Sequence, residues 1–338
     1  MSTETESQWD NYQPGDFNLP WLACLDLFRS HGLMLWGTPA YEDTAHNARF
    51  PRKAAPDPFH PQNDEDFIHR LDVDWAQPHL NRRLGFFQET AFLHLALDRY
   101  LRHVMIKAIP TGSKELQIIR ELSSHPLRAD ARNHTIPVLH FISGVSMDFV
   151  VQAWWGEHWA WPPFDCAPSR FEMARQLLEG LQFMHDHGIA HGDIHPRNIV
   201  WNRSDKRPRE VWEPAAGLVK PPFHSLFDFR MAYIDFGAAK KFTADLRLFA
   251  SNCRPPSKWA APEQFLDKPY DVCAADVFML GKVLQGELAE GRQWYNIPDD
   301  DTGYSKYDAL LVGMTHIDPN MRPTVSLAMS TMQTLLLV

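Results

Sequence analysis

The stretch HGDIHPRNIV, residues 191–200, decides how this chain is read. It sets Asp193 and Asn198 five residues apart, in a turn-like loop between a helical pattern upstream and a short apolar run downstream. A second stretch, YIDFGAAK at 233–240, puts Asp235 at the end of an apolar strand with Gly237 close behind it. A third, VMIKAI at 104–109, presents Lys107 on a strand among apolar neighbours. Phosphoryl transfer needs these parts: a carboxylate that orients and deprotonates a hydroxyl, oxygen ligands for Mg²⁺, and a cation for phosphate. Asp193 is the candidate catalytic base, Asn198 and Asp235 the candidate metal ligands, and Lys107 the candidate phosphate cation.

Outward from these stretches the pattern changes character. HVMIKAIP (103–110), PVLHFISGVS (137–146) and MDFVVQAWW (147–155) read as strands, with helical spacing at Leu116, Ile119 and Leu122 between the first two. After Trp155 the spacing is helical. Ser169 and Glu172 form a capping-box signature ahead of Ala174, Leu177, Leu178, Leu181 and Met184, with Gly188 at the stop. Asp276–Leu288, Tyr307–Met314 and Val325–Leu337 are further helical candidates. The expected fold class is α+β and bilobal, with a small β-rich lobe at about 80–152 and a larger helical lobe at about 156–338.

Residues 1–65 read as an N-terminal extension to a main domain over 66–338. PWLACLDLFRSHG (20–32) is a short amphipathic helix with Leu22, Leu25 and Phe28 on one side, Pro20 at its start and Gly32 at its stop. It reads as a tail packed on the main domain, with a partner-docking helix as the alternative. RFPRKAAPDPFHPQND (49–64) reads as a linker. The stretch 202–229 is rich in Pro and charge and reads as a surface insertion. Its basic cluster, Arg203, Lys206, Arg207 and Arg209, is expected to be a solvated loop, with a nuclear signal as the alternative.

Lys+Arg 33 against Asp+Glu 42 leaves a net charge of −9 over 338 residues, which disfavours a nucleic-acid partner held by bulk charge. No apolar run reaches the length of a membrane span, and MSTETESQWD is acidic and polar, unlike a secretory signal. The four cysteines, Cys24, Cys166, Cys253 and Cys273, stand alone, which suits a reducing compartment. An intracellular location is expected, the cytoplasm first and the nucleus as the alternative.

In these motifs the chain resembles the eukaryotic-type protein kinase domain. The resemblance covers roughly residues 80–338 and adds Ala261-Pro262-Glu263, the helix start DVFMLG and DPNMRPT in the family's order. It implies ATP and Mg²⁺ as cofactors and a protein substrate with a Ser/Thr or Tyr hydroxyl. By the resemblance, Lys107 contacts ATP phosphates and pairs with Glu115, chosen over Glu121 on helix spacing. Asp193 is the catalytic aspartate, Asn198 and Asp235 hold metal, and Asp276 supports the catalytic loop. Arg322 pairs with Glu263, Gln152 is the gatekeeper, and Ala153, Trp154 and Trp155 form the adenine-binding hinge. Gly85 aligns with the first glycine of the phosphate loop, with Phe87 and Thr90 in place of the other two.

The chain also departs from that pattern. Gly192 replaces the arginine before the catalytic aspartate, and His195 replaces the lysine two residues after it. Arg197 lies four residues after Asp193, where tyrosine kinases carry an arginine, and PSKWAAPE with Pro256 and Trp259 resembles their segment too. Arg197 is therefore the candidate substitute cation at the γ-phosphate, with His195 the alternative. Two other function classes stand beside the protein kinase: a pseudokinase scaffold, from the lost glycines, and a small-molecule kinase with an HGDxHxxN loop. The i,i+4 spacing of His191 and His195 also matches zinc ligands, but HExxH is lacking.

Overall fold

The computed structural model describes residues 19–36, 38, 92–100, 102–157, 164, 166–202, 229–243, 245–249, 258–266, 268–295 and 302–336. The Pro-rich stretch 49–64, Gly85 with Phe87 and Thr90, the basic cluster at 203–209, Cys253 and Pro256 lie outside them. The chain divides into two compact units, Met1–Gln117 with Pro137–Trp155, and Ile118–Ile136 with Gly156–Val338.

The first unit is built on an antiparallel five-stranded sheet. Its strands are β1 (Met34–Leu35), β2 (Leu93–Leu97), β3 (His103–Pro110), β4 (Val138–Ile142) and β5 (Met147–Ala153), in the order β1-β2-β3-β5-β4. The three strands expected from sequence, β3, β4 and β5, are present. β3 and β5 are largely apolar and buried at almost every position, the polar His103, Asp148 and Gln152 included, because both of their faces are covered. Lys107 is the half-buried exception, opposite Leu93 on one side and Val150 on the other. The strand that opens the sheet comes from the N-terminal segment, and residues 36–92 join it to β2.

That segment holds two short helices, α1 (Leu19–Ala23) and α2 (Leu25–Ser30), broken at Cys24. The expected stripe of Leu22, Leu25 and Phe28 is corrected. Trp21, Cys24 and Phe28 are buried, while Leu22 is 45% exposed. The indole sets the face because it buries more surface than a leucine. It lies 5.8 Å from Phe28, 5.0 Å from His94 and 5.9 Å from Phe149, and Phe28 meets Phe149 edge-on at 4.9 Å. Helix α3 (Lys114–Leu122) buries Leu116, Ile118, Ile119 and Leu122, as its spacing predicts.

The second unit is organised on helix α4 (Ala167–Asp186), whose Met173, Ala174, Leu177, Leu178, Leu181, Phe183 and Met184 are wholly buried. The expected cap at Ser169 is corrected. The N-cap is Cys166, and Ser169 lies inside the helix with no exposed surface. Pro168 explains the shift, since a residue without an N–H fits the first turn, where N–H groups lack intrahelical acceptors. Gly188 follows at φ +68°, the left-handed turn that ends the helix.

The chain then makes β7 (Ile189–Ala190) and β8 (Ile199–Trp201), with β9 (Met231–Tyr233) beside β8 and β6 (Gly156–Glu157) on its other edge. β10 (Lys240–Lys241) pairs with β7, and β11 (Leu248–Phe249) with β12 (Tyr270–Asp271). Helices α5 (Val272–Tyr295), α6 (Thr302–Met314) and α7 (Val325–Leu335) complete the unit. Thr324 caps α7, accepting from Leu327 N at 3.2 Å. The architecture is α+β, strands first and helices after, as expected.

Candidate active site

The loop 191–198 is held from below by one buried carboxylate. Asp276, near the start of α5, has no exposed surface. Its Oδ2 accepts from His191 N at 2.8 Å and from His185 Nε2 at 3.0 Å, and its Oδ1 accepts from Gly192 N at 2.8 Å. The support expected of Asp276 is therefore present. No local signal joins His185, on α4, to a residue 91 positions later, and the sequence reading missed it.

Gly192 has φ +79°, and a Cβ there would stand 2.7 Å from the carbonyl oxygen of Ala238. Glycine thus lets the two loops touch at the backbone. The His191 ring is buried and bonded at both nitrogens. Nδ1 accepts from Asp193 N at 3.3 Å, and Nε2 donates to Ile234 O at 3.0 Å. Burial pushes its pKa below the usual imidazole value, with Asp276 pulling the other way, so the ring is neutral. These bonds make it a structural residue.

Asp193 and Asn198 meet directly. Asn198 Nδ2 donates to Asp193 O at 2.9 Å and to Asp193 Oδ2 at 3.2 Å. With both amide hydrogens used, the Asn198 carbonyl oxygen is the group's remaining polar atom. Asp193 Oδ1 is shielded from solvent and has no hydrogen-bond partner among the described residues. Ile234 N donates to Asn198 O at 3.0 Å, which brings Asp235 beside this loop. Asp235 is exposed at φ +64°, uncommon outside glycine, and Gly237 N approaches its Oδ1 at 3.4 Å. Phe236 is buried with its ring 5.3 Å from that of His191. The structure therefore gathers Asp193, Asn198 and Asp235. Arg197 is exposed on the 3-10 turn Pro196–Asn198.

In the first unit, Lys107 Nζ lies 2.5 Å from Glu115 Oε1, both side chains mostly buried. The choice of Glu115 over Glu121 is met, since Glu121 pairs with Lys241. Gln152, Ala153, Trp154 and Trp155 are all buried, and both indole N–H groups lack a partner among the described residues. Met105, two residues before Lys107 and so on the same face of β3, packs with Leu95 and Trp154 against Trp36 and Leu93. The family motif V-A-I-K has alanine at this position, so Met105 was detectable in the sequence but was not singled out.

Glu263 and Arg322 form a two-pronged buried ion pair at 2.5 and 2.8 Å. Arg322 also donates to the carbonyls of His316 and Ala274 at 2.8 and 2.9 Å. Trp259 carries Lys258 over its ring at 4.9 Å.

Comparison with known proteins agrees with this geometry. The family model described as "Protein kinase domain" matches residues 167–336, half of the chain. Calcium/calmodulin-dependent protein kinase type 1 of Caenorhabditis briggsae is 31% identical over 111 residues, 33% of this chain and 24% of that protein. The DNA damage response protein kinase DUN1 of Saccharomyces cerevisiae is 32% identical over 110 residues, 32% of this chain and 20% of that one. The serine/threonine-protein kinase/endoribonuclease IRE1b of Arabidopsis thaliana is 27% identical over 175 residues, 46% of this chain and 17% of its own length. The matched segments thus span a quarter or less of these relatives. With half its length matching the family model, the chain belongs to the protein kinase domain family.

Proposed function

We propose that the chain is an active protein kinase that transfers the γ-phosphate of Mg-ATP to a serine or threonine hydroxyl of a protein substrate. The observation that carries this reading is the asymmetry of Asp193. One carboxylate oxygen is engaged by Asn198, and the other is buried without a partner among the described residues. With Oδ1 shielded, a substrate hydroxyl meets the carboxylate through the 24% of the side chain that is open, where Oδ2, held by Asn198, can take its proton.

Bound Mg-ATP supplies the phosphoryl group and neutralises charge on its oxygens. The residues present suit it. Asn198, with its amide hydrogens turned to Asp193, and the exposed Asp235 offer the oxygen ligands that Mg²⁺ takes alongside phosphate. Lys107, oriented by Glu115, binds phosphate oxygens, and Gly85 is the proposed loop contact. Gln152, Ala153, Trp154 and Trp155 hold the base, with two buried indole N–H groups in need of acceptors. Exposed Arg197 serves as counter-charge at the γ-phosphate.

The names of the curated relatives favour Ser/Thr over Tyr. The buried Glu263–Arg322 pair favours a protein kinase over a small-molecule kinase, which lacks that segment. The proposal places the protein where Mg-ATP is held, in the cytoplasm or, as the alternative, the nucleus. The test is Mg²⁺-dependent ATP binding and γ-phosphate transfer to a mixed Ser/Thr/Tyr peptide library. Asp193→Ala should lose transfer by about 10²–10⁴-fold and keep ATP binding. Asp235→Ala should also weaken Mg-ATP binding. Unchanged turnover in Asp193→Ala would overturn the reading.

A further inference from the structure

His195 stands where most of the family has a lysine, and its ring has one hydrogen-bonded neighbour and a second in longer contact. Arg197 N–H donates to Nδ1 at 3.2 Å. A backbone N–H can only donate, so Nδ1 carries the lone pair and the proton of the neutral ring is on Nε2. That Nε2 faces Asp193 Oδ2 at 3.5 Å, with 12% of the His195 side chain exposed. Asn198 Nδ2 reaches the same oxygen at 3.2 Å. Two N–H groups therefore converge on Oδ2, and no described residue donates to Oδ1.

We propose that His195 is a positioning residue for Asp193. Its Nε2–H tautomer, fixed by the Arg197 amide, faces Oδ2 together with Asn198 and holds the carboxylate in the orientation that meets the substrate hydroxyl. This rests on the reading of Asp193 as the base. At 3.5 Å the contact is long, as catalytic contacts often are before substrate tightens them. A lysine cannot hold this place in the same way. It has three donors and no acceptor, so the Arg197 amide would lose its partner. The departure at His195 is thus an exchange of roles: the imidazole orients the base, and the positive charge of the loop rests on Arg197.

Three substitutions separate this role from mere capping of the 3-10 turn. His195→Ala removes both contacts, His195→Asn keeps an acceptor for the Arg197 amide without reaching Asp193, and His195→Gln restores an N–H near the position of Nε2. Expected losses in kcat, with KM for ATP unchanged, are up to about 10²-fold for the Ala and Asn variants and only a few-fold for Gln. A fully active Asn variant would make His195 a cap alone and overturn the proposal. So would a raised KM for ATP at constant kcat in His195→Ala, the sign of a phosphate ligand. If Asp193→Ala keeps its activity, the base reading fails and the proposal falls with it. If Asp193→Ala is dead while every His195 variant is normal, only the proposal falls.

A readout independent of turnover is ¹⁵N NMR of labelled histidine, with the His195 ring assigned by its loss in His195→Gln. The expected ring is protonated at Nε2, and its Nε2 resonance moves in Asp193→Asn. A ring protonated at Nδ1, or an Nε2 indifferent to Asp193→Asn, would overturn the assignment.

Discussion

Gly192 and Met105 are the two residues where this chain's own choices show most clearly. Gly192 has a left-handed backbone and touches the Ala238 carbonyl, so a side chain meets both strain and collision. Gly192→Ala should therefore cost about 1–2 kcal/mol from the backbone alone and more from the displaced loop. The expected result is a lower urea midpoint together with reduced phosphate transfer, and unchanged stability would show that the loops have room to part. Met105 fills the face of β3 that also bears Lys107, beside Trp154. If nucleotide binds there, Met105→Ala should tighten Mg-ATP binding by about tenfold, read by calorimetry, even as the lost packing lowers Tm. Weaker binding would mean that Met105 supports the base instead of crowding it.

At the scale of elements, the Glu263–Arg322 pair ties the 3-10 turn Pro262–Phe265 to the segment just before α7. Both side chains are almost fully buried, and Arg322 reaches three carbonyls besides. Removing one partner leaves the other as an uncompensated buried charge. Glu263→Ala should therefore destabilise the protein by about 3–5 kcal/mol, and Arg322→Ala by a similar amount. A double variant much less than additive, measured by denaturant titration, would confirm that the two act as one unit. The N-terminal helices behave differently, since their hold on the sheet is aromatic, through Trp21 and Phe28 against Phe149 and His94.

For the whole molecule, stability should depend on pH through its buried histidines. Burial lowers the pKa of His94, under Trp21, and of His191, in the catalytic loop. The unfolded chain takes up protons near the ordinary value of about 6.5, while the folded rings resist. Their contribution is present above that pH and is lost as pH falls from about 6.5 toward the depressed folded values. The urea midpoint should drop between about pH 7.5 and 5.5, and His94→Leu should flatten part of that slope. A midpoint that rises with acid would contradict the sign.

The chemistry-bearing stretches were legible because their information is local. Lys107 sits in a mostly apolar strand, Asp193 and Asn198 share one loop, and Asp235 lies two residues before a glycine, so residue type and spacing singled them out as candidates. The same holds for β3, β4, β5 and α3, whose periodicity matches the faces they bury. Tertiary structure decided what depends on partners far away in sequence. Met34–Leu35 is too short to announce itself as a strand and becomes one only because β2 offers an edge. Asp276 gathers His185, His191 and Gly192 from more than eighty residues away. Trp21 outweighs Leu22 because two rings of the sheet, His94 and Phe149, and Phe28 of the next helix pack against it. His195 reads in sequence as a missing lysine. Only the fold, by turning one nitrogen to the Arg197 amide, decides that its other nitrogen faces Asp193.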